Sequence, residues 1–401
     1  MRLYLYCLIA LLGLSCTATK NPRFSTDQAL EQKLRLVLDS AVIQYAFIKE
    51  NLDSTLLPRT FEQGSLKTTR PDGWVSGFYP GTLFYLYEFS RDKQVLTEAL
   101  RSMRLLEQEQ FNKRTHDLGF MMYCSYGNAN RLDPRPQYDS VLINAARSLS
   151  SRFSPTVGCI RSWDSEPSKF VVIIDNMMNL ELLMYAFRQT GDSAFYHIAV
   201  THANTTLEHH FRPDNSSWHV VNYDPQNGAV LSKITHQGAG DHTAWARGQA
   251  WGMYGYTMMY RETGIRAYLD QAIKIADFIL AHPAMPDDMV PYWDFDAPGI
   301  PEAYRDASAA AIMSSSLLEL AYYTEGDKGR SYFNAAEKML SSLSAAPYKS
   351  SGDEVGGFLL KHGVGHLPAD SEIDVPLSYG DYYYVEAALR YLGIQAIPIV
   401  N

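Results

Sequence analysis

Three stretches decide the fold: Phe187-Arg188-Gln189-Thr190-Gly191-Asp192, Tyr260-Arg261-Glu262-Thr263-Gly264 and Tyr322-Tyr323-Thr324-Glu325-Gly326-Asp327. Each closes an apolar-periodic segment on an aromatic-rich turn and breaks it at a glycine suited to a left-handed C-cap. Each then opens another segment with Tyr196, Tyr268 or Tyr332 in its first turns. They are variants of one helix–turn–helix joint, and Tyr87-Glu88-Phe89-Ser90-Arg91-Asp92 is a degenerate earlier copy. Successive copies lie roughly 60–100 residues apart, long for a solenoid repeat. Long loops between hairpins are therefore expected to gather on one face.

Working outward from these joints, helices are predicted over about 27–50, 81–90, 95–111, 140–150, 176–190, 193–211, 244–263, 266–281, 303–324, 331–344 and 380–392. Apolar residues recur at helical spacing, as at Met177, Leu180, Met184 and Phe187. Strand-like alternation is scarce outside 218–223. Eleven helices plus one unseen make six hairpins, which can close into an all-α (α/α)6 barrel over a single domain, residues 27–401. An open α-solenoid is the structural alternative. The closed barrel is favoured because the inter-hairpin loops carry the chemistry.

The chain has 401 residues, with 35 Lys+Arg against 44 Asp+Glu, a formal net charge of −9. With 46% hydrophobic and 20% charged residues it has the composition of a globular protein. The acidic balance and the lack of a long basic run argue against nucleic acid as partner. An anionic substrate would have to be held by a few specific cations. The 12% aromatic content suits a carbohydrate-facing cleft.

Met1-Arg2 and the apolar run from Leu3 to Leu14 form a signal-peptide leader, too short to span a bilayer. Gly13-Leu14-Ser15-Cys16 resembles a lipoprotein cleavage site, so residues 1–16 are expected to be a leader with a lipid anchor at Cys16, followed by a short tether over 17–26. Export to the bacterial periplasm follows. In the body, Cys124 and Cys159 form one disulfide or remain buried thiols; spacing does not decide.

Four segments hold more Trp, His, Asp and Gly than a helical core needs: 70–81, 116–120, 173–179 and 236–252. Asp175 follows Val171-Val172-Ile173-Ile174 and precedes Met177-Met178. Apolar neighbours would raise its pKa toward that of a general acid, whereas a helix start would favour its anion. A plain N-cap is the competing reading. Asp117 is a second candidate carboxylate, or a turn residue before Leu-Gly. Two such acids in the loops of a helical barrel match the acid/base pair of a glycosidase. Metal catalysis is disfavoured, because His209, His210, His236, Asp241 and His242 fit no ligand spacing. No nucleophile elbow, P-loop or dinucleotide fingerprint occurs, and no cofactor is required.

Asp72-Gly73-Trp74 to Gly81, His116-Asp117-Leu118-Gly119-Phe120, Asp175-Asn176-Met177-Met178-Asn179-Leu180, His236-Gln237-Gly238, Trp245 to Gly252 and Asp374-Val375-Pro376-Leu377-Ser378-Tyr379-Gly380-Asp381-Tyr382-Tyr383 occur in that order. Together they resemble the unsaturated glucuronyl hydrolases, glycoside hydrolase family 88. The resemblance implies an (α/α)6 barrel that removes the 4,5-unsaturated uronic acid from lyase-generated oligosaccharides by hydrating its vinyl ether. It implies that Asp175 protonates C4 and activates water for C5, with Asp117 as the second carboxylate. It further implies a substrate site of Trp74, Trp163, His219, Gln237, Arg247 and Trp251. Arg247 would hold the uronate carboxylate, with a structural salt bridge as the alternative. The loop 361–368 offers Lys361 as its cation for a sulfate. Glycosaminoglycan disaccharides are the expected substrates, ahead of gellan-, xanthan- and ulvan-like fragments. Competing readings are an unsaturated rhamnogalacturonyl hydrolase, a non-catalytic glycan-binding lipoprotein and an inverting glycosidase acting on saturated chains.

Overall fold

The computed structural model describes residues 23–397. The expected leader 1–16, Cys16 and most of the tether lie outside the described residues. Among the described residues, twelve α-helices follow in chain order: α1 Gln28–Asn51, α2 Phe78–Ser90, α3 Lys93–Arg104, α4 Asn128–Leu132, α5 Pro136–Ser150, α6 Leu180–Thr190, α7 Ser193–His209, α8 Ala246–Thr263, α9 Arg266–Ala281, α10 Ala307–Tyr323, α11 Gly326–Leu343 and α12 Ser378–Tyr391.

Even-numbered helices form the inner ring and odd-numbered ones the outer. A π-helix, Gly119–Gly127, runs directly into α4. This rod packs between α2 and α6; α8, α10 and α12 continue the ring, and α12 returns to α2. The ring is closed, so the molecule is an (α/α)6 barrel rather than an open solenoid. Burial follows from that geometry. In α10 every residue from Ala307 to Ala321 is buried, as is all of α12. The outer α5 buries one face only, through Val141, Leu142, Ala145 and Leu149. Each fully buried Leu or Phe contributes about 1.5–3 kcal/mol relative to exposure.

The joints behave as read at two of three places. Gly191 and Gly264 cap α6 and α8 with φ of 71° and 67°, where a side chain would be strained. Arg91 takes the same left-handed turn in the degenerate copy, at φ 59°. At the third, α10 ends on an extended Thr324, and Gly326 (φ 63°) begins α11 instead of capping α10. Two of the repeated tyrosines join neighbouring outer helices: Tyr268 of α9 donates to Asn204 of α7 (2.9 Å), and Tyr332 of α11 donates to Asp277 of α9 (2.6 Å).

Some boundaries differ from expectation. The unseen helix is the rod over Gly119–Leu132. The 95–111 helix breaks after Arg104, with a 3-10 turn at Glu107–Phe111. The 176–190 helix begins as a 3-10 turn, Ile174–Asn179. More strand is present than expected: the described residues form four small antiparallel sheets, of which Phe170–Ile173, Val220–Tyr223 and Val230–Ile234 make a three-stranded one beside the barrel mouth. Cys124 and Cys159 are free and buried.

Candidate active site

Every inner helix is entered from a loop at the same end of the barrel, and those loops converge. Trp74 precedes α2 and lies 5.0 Å, ring to ring, from Tyr379 at the start of α12. Asp117 precedes the π-helix, Asp175 precedes α6, and Arg247 lies in the first turn of α8. Asp306 caps α10. Helix N-termini carry partial positive charge, so their convergence favours an anionic ligand in an otherwise acidic protein.

Sheet register places the two central groups together. Ile173 pairs with Val220, and the Ile174 amide donates to the His219 carbonyl (3.0 Å). That brings His219 Nε2 to 3.7 Å from Asp175 Oδ2. The backbone amides of His236 and Gln237 both donate to His219 Nδ1, each at 3.2 Å. Nδ1 is therefore an acceptor, and the ring proton sits on Nε2, facing Asp175. Burial pushes the His219 imidazole well below its ordinary pKa, which keeps it neutral.

Asp175 has 14% of its side chain exposed, and its Oδ2 is buried without a hydrogen-bond partner. Burial raises its pKa to about 7, against the lowering influence of Arg247; an anionic Asp117 adds a smaller upward push. Ile173, not Asp175, occupies the N-cap of the turn, so the N-cap alternative does not describe this carboxylate. An acid poised near neutrality can give a proton and take one back.

Asp117 is anchored by its own loop. Thr115 Oγ1 donates to Oδ2 (2.9 Å), and His116 Nε2 lies 3.2 Å from Oδ1. The Phe120 amide donates to Asn179 Oδ1 (3.0 Å), which ties the Asp117 loop to the Asp175 turn.

The other expected residues divide. Trp163 is half-buried and stands edge-on to His236 and His219, at 5.0 and 6.1 Å between ring centres, as one wall of the cleft. Trp74 is half-buried among Phe78, Phe120 and Tyr379. Trp251 is fully buried against Phe120 and Tyr383. The Gln237 side chain donates to the Gly365 carbonyl (2.9 Å), so it holds the loop over the site.

Arg247 shows the arrangement of the salt-bridge alternative. It is 1% exposed, and its Nη1 donates to Asp306 Oδ2 (2.9 Å) and the Val364 carbonyl (2.5 Å). Its Nη2 donates to the Gly365 carbonyl (2.6 Å), and the guanidinium lies over Trp245 at 4.6 Å. It is a fixed positive charge beneath Asp175. Lys361 pairs with Glu354 (2.8 Å) at the partly exposed edge of its loop.

Sequence reasoning did not single out His116, Trp245 or Asp306. Trp245 lies 4.5 Å from the His219 ring. Asp306 before an Ala-Ser-Ala-Ala run signals a helix cap, but nothing local signals its partner Arg247. Among the described residues, no group of three or more His, Cys, Asp or Glu side chains is placed to hold a metal ion. A cavity of about 580 Å³ occupies the opposite end of the barrel. Its charged lining is mutually paired, as in Arg131–Glu88, Arg188–Glu262 and Arg261–Glu181.

No protein-family model matches the chain. Among curated proteins it is 47% identical over 320 residues to an unsaturated glucuronyl hydrolase of Formosa agariphila, covering 79% of each chain. It is 35% identical over 325 residues to an unsaturated glucuronyl hydrolase of Bacillus sp. strain GL1, covering 79% of this chain and 85% of that one. Among solved structures, an unsaturated glucuronyl hydrolase described as specific for heparin superposes with a TM-score of 0.88 at 46% identity. That match covers 90% of this chain and 97% of the other.

Proposed function

The chain belongs to the unsaturated glucuronyl hydrolase family, and on that premise we propose how its site removes a 4,5-unsaturated uronic acid from the non-reducing end of lyase-generated oligosaccharides. The carrying observation is Asp175, held near pKa 7 by burial and facing the neutral His219 Nε2–H. Protonated Asp175 delivers its proton to C4 of the vinyl ether, and positive charge develops at C5. Water adds at C5 and gives up a proton to the Asp175 carboxylate, which restores the acid. The resulting C5 hemiketal opens to a ketone, and C1 releases the remaining sugar as an alcohol while becoming an aldehyde. One group serves as acid and then base, because protonation precedes water attack. The ruler of carboxylate separation for C1 displacement does not apply.

His219 Nε2–H, more than a hydrogen bond from Asp175, is available to orient a substrate oxygen or the attacking water. Asp117 binds glycone hydroxyls. Trp163 and Trp74 flank the sugar. Arg247 acts through charge: it limits the upward shift of Asp175 and anchors the loop carbonyls of Val364 and Gly365.

Glycosaminoglycan disaccharides are the substrate class, with heparin-derived ones first, supported by the 46%-identical relative described as specific for heparin. The leader with Cys16 supports an exported, lipid-anchored enzyme, and Cys16→Ala should release it from membranes. The test of substrate class follows ultraviolet absorbance of the C4–C5 double bond in disaccharides from heparin, chondroitin, hyaluronan, gellan and rhamnogalacturonan. Fastest loss on a glycosaminoglycan disaccharide is expected. Fastest loss on the rhamnogalacturonan fragment would reassign the substrate.

A further inference from the structure

The two carboxylates stand on separate elements, and their spacing has to be fixed by a contact between those elements. Asp117 leads into the rod, and Asp175 lies in the 3-10 turn Ile174–Asn179 that leads into α6. The Met121 amide donates to the Asp117 carbonyl (2.9 Å), so Asp117 and the first turn of the rod move as one backbone unit. The Asp175 turn is held at its other end by the Ile174 amide, which donates to the His219 carbonyl (3.0 Å).

Asn179 joins the two units. It occupies the N-cap of α6, where an Asn oxygen ordinarily accepts from amides of its own helix, and it makes no such bond. Its Oδ1 accepts instead from the Phe120 amide (3.0 Å), one of the first amides of the rod. Those amides have no partner within their own helix, and the rod's N-cap residue, Leu118, has an apolar side chain. Asn179 is fully buried, and its Nδ2 has no hydrogen-bond partner. A buried donor left unpaired is unfavourable, so the side chain is kept for its oxygen. The backbones meet at the same point. A Cβ on Gly119 would lie 2.5 Å from Asn179 Cα, so only glycine permits the approach. Behind the turn, a Cβ on Gly255 of α8 would lie 2.5 Å from Met177 Cβ, so the turn has no room to retreat.

We propose that Asn179 is a positioning residue: it caps the neighbouring rod instead of its own helix, and that cap sets the separation of Asp117 from Asp175. The inference rests on the reading of Asp175 as proton donor and Asp117 as the group that binds glycone hydroxyls. Being buried, Asn179 touches no substrate. It registers the sugar held by Asp117 against the proton that Asp175 delivers to C4. A misplacement of about 1 Å between such groups can cost about 10²-fold in rate.

The experiment is a double-mutant cycle of Asn179→Ala with Asp117→Asn, read as kcat/KM on the disaccharide that wild type turns over fastest. Asn179→Ala should lower kcat/KM by about 10- to 100-fold in the wild-type background. In the Asp117→Asn background, where the positioned carboxylate is already gone, it should cost less than about threefold. A loss of folded enzyme would scale both backgrounds by the same factor. Equal losses in the two backgrounds, or no loss in wild type, would therefore overturn the proposal. If Asn179→Ala does not fold, Asn179→Ser takes its place in the cycle, since its hydroxyl is polar but one bond too short to reproduce the amide oxygen. Failure of the underlying reading looks different: Asp175→Asn would then retain turnover.

Discussion

His219 Nε2 stands 3.7 Å from Asp175 Oδ2, and strand pairing between Ile173 and Val220 sets that separation. Because Nδ1 accepts two backbone amides, the imidazole presents its proton to the cleft and has no second hydrogen to lose at neutral pH. His219→Ala should lower kcat by about 10²–10³-fold, the range for losing one oriented donor. His219→Gln, which can still donate, should recover part of it. Steady-state kinetics with both variants checks this; equal losses would argue that ring packing, not the donor, matters.

Asp175 also imposes a pH dependence on stability. Its folded pKa of about 7 lies above the unfolded carboxylate value of about 3.9. Between those values the unfolded chain has lost the proton and the folded chain has kept it. The stability that this proton contributes is full below about pH 4 and gone above about pH 7. Relative to Asp175→Asn, wild type should therefore lose about 4 kcal/mol across that window and nothing further above it. Thermal or urea unfolding of both proteins at several pH values measures the difference. A difference independent of pH would place the carboxyl near its ordinary pKa.

Arg247 and Asp306 form a buried pair, 1% and 0% exposed, whose members lie 59 positions apart in sequence. Arg247→Met leaves Asp306 uncompensated and frees the Val364 and Gly365 carbonyls, at a cost of about 3–5 kcal/mol. Arg247→Lys should recover little, since one ammonium cannot reproduce the planar fork. Denaturant midpoints for the two variants test this, and a well-tolerated lysine would contradict it.

Most helices were legible because one-sided burial leaves a 3.6-residue imprint, as in α5 with Val141, Leu142, Ala145 and Leu149. The missed rod left none. Phe120, Met121 and Met122 are buried all round, and its π-turns shift the period. The strand Val171-Val172-Ile173 was hidden for a related reason: both faces are covered, so there is no alternation to read. At the site, Asp175 could be picked out because an acid beside an apolar run is conspicuous, and Asp117 because it stands in the His116-Asp117-Leu118-Gly119-Phe120 motif. Partnerships could not be. Arg247 is oriented by Asp306 and two distant carbonyls, and only the closed barrel brings them together. The burial of Trp251 was equally illegible, since an exposed and a fully buried tryptophan read identically in sequence.

The central claim is that Asp175 protonates C4 of an unsaturated uronate. Early turnover in D₂O, followed by NMR of the released keto-acid, tests it most directly. The account predicts one deuterium at C4, on a single face, with wild type, and loss of both label and turnover with Asp175→Asn. Release of an intact unsaturated uronic acid without deuterium at C4 would mean cleavage at C1, and would contradict it.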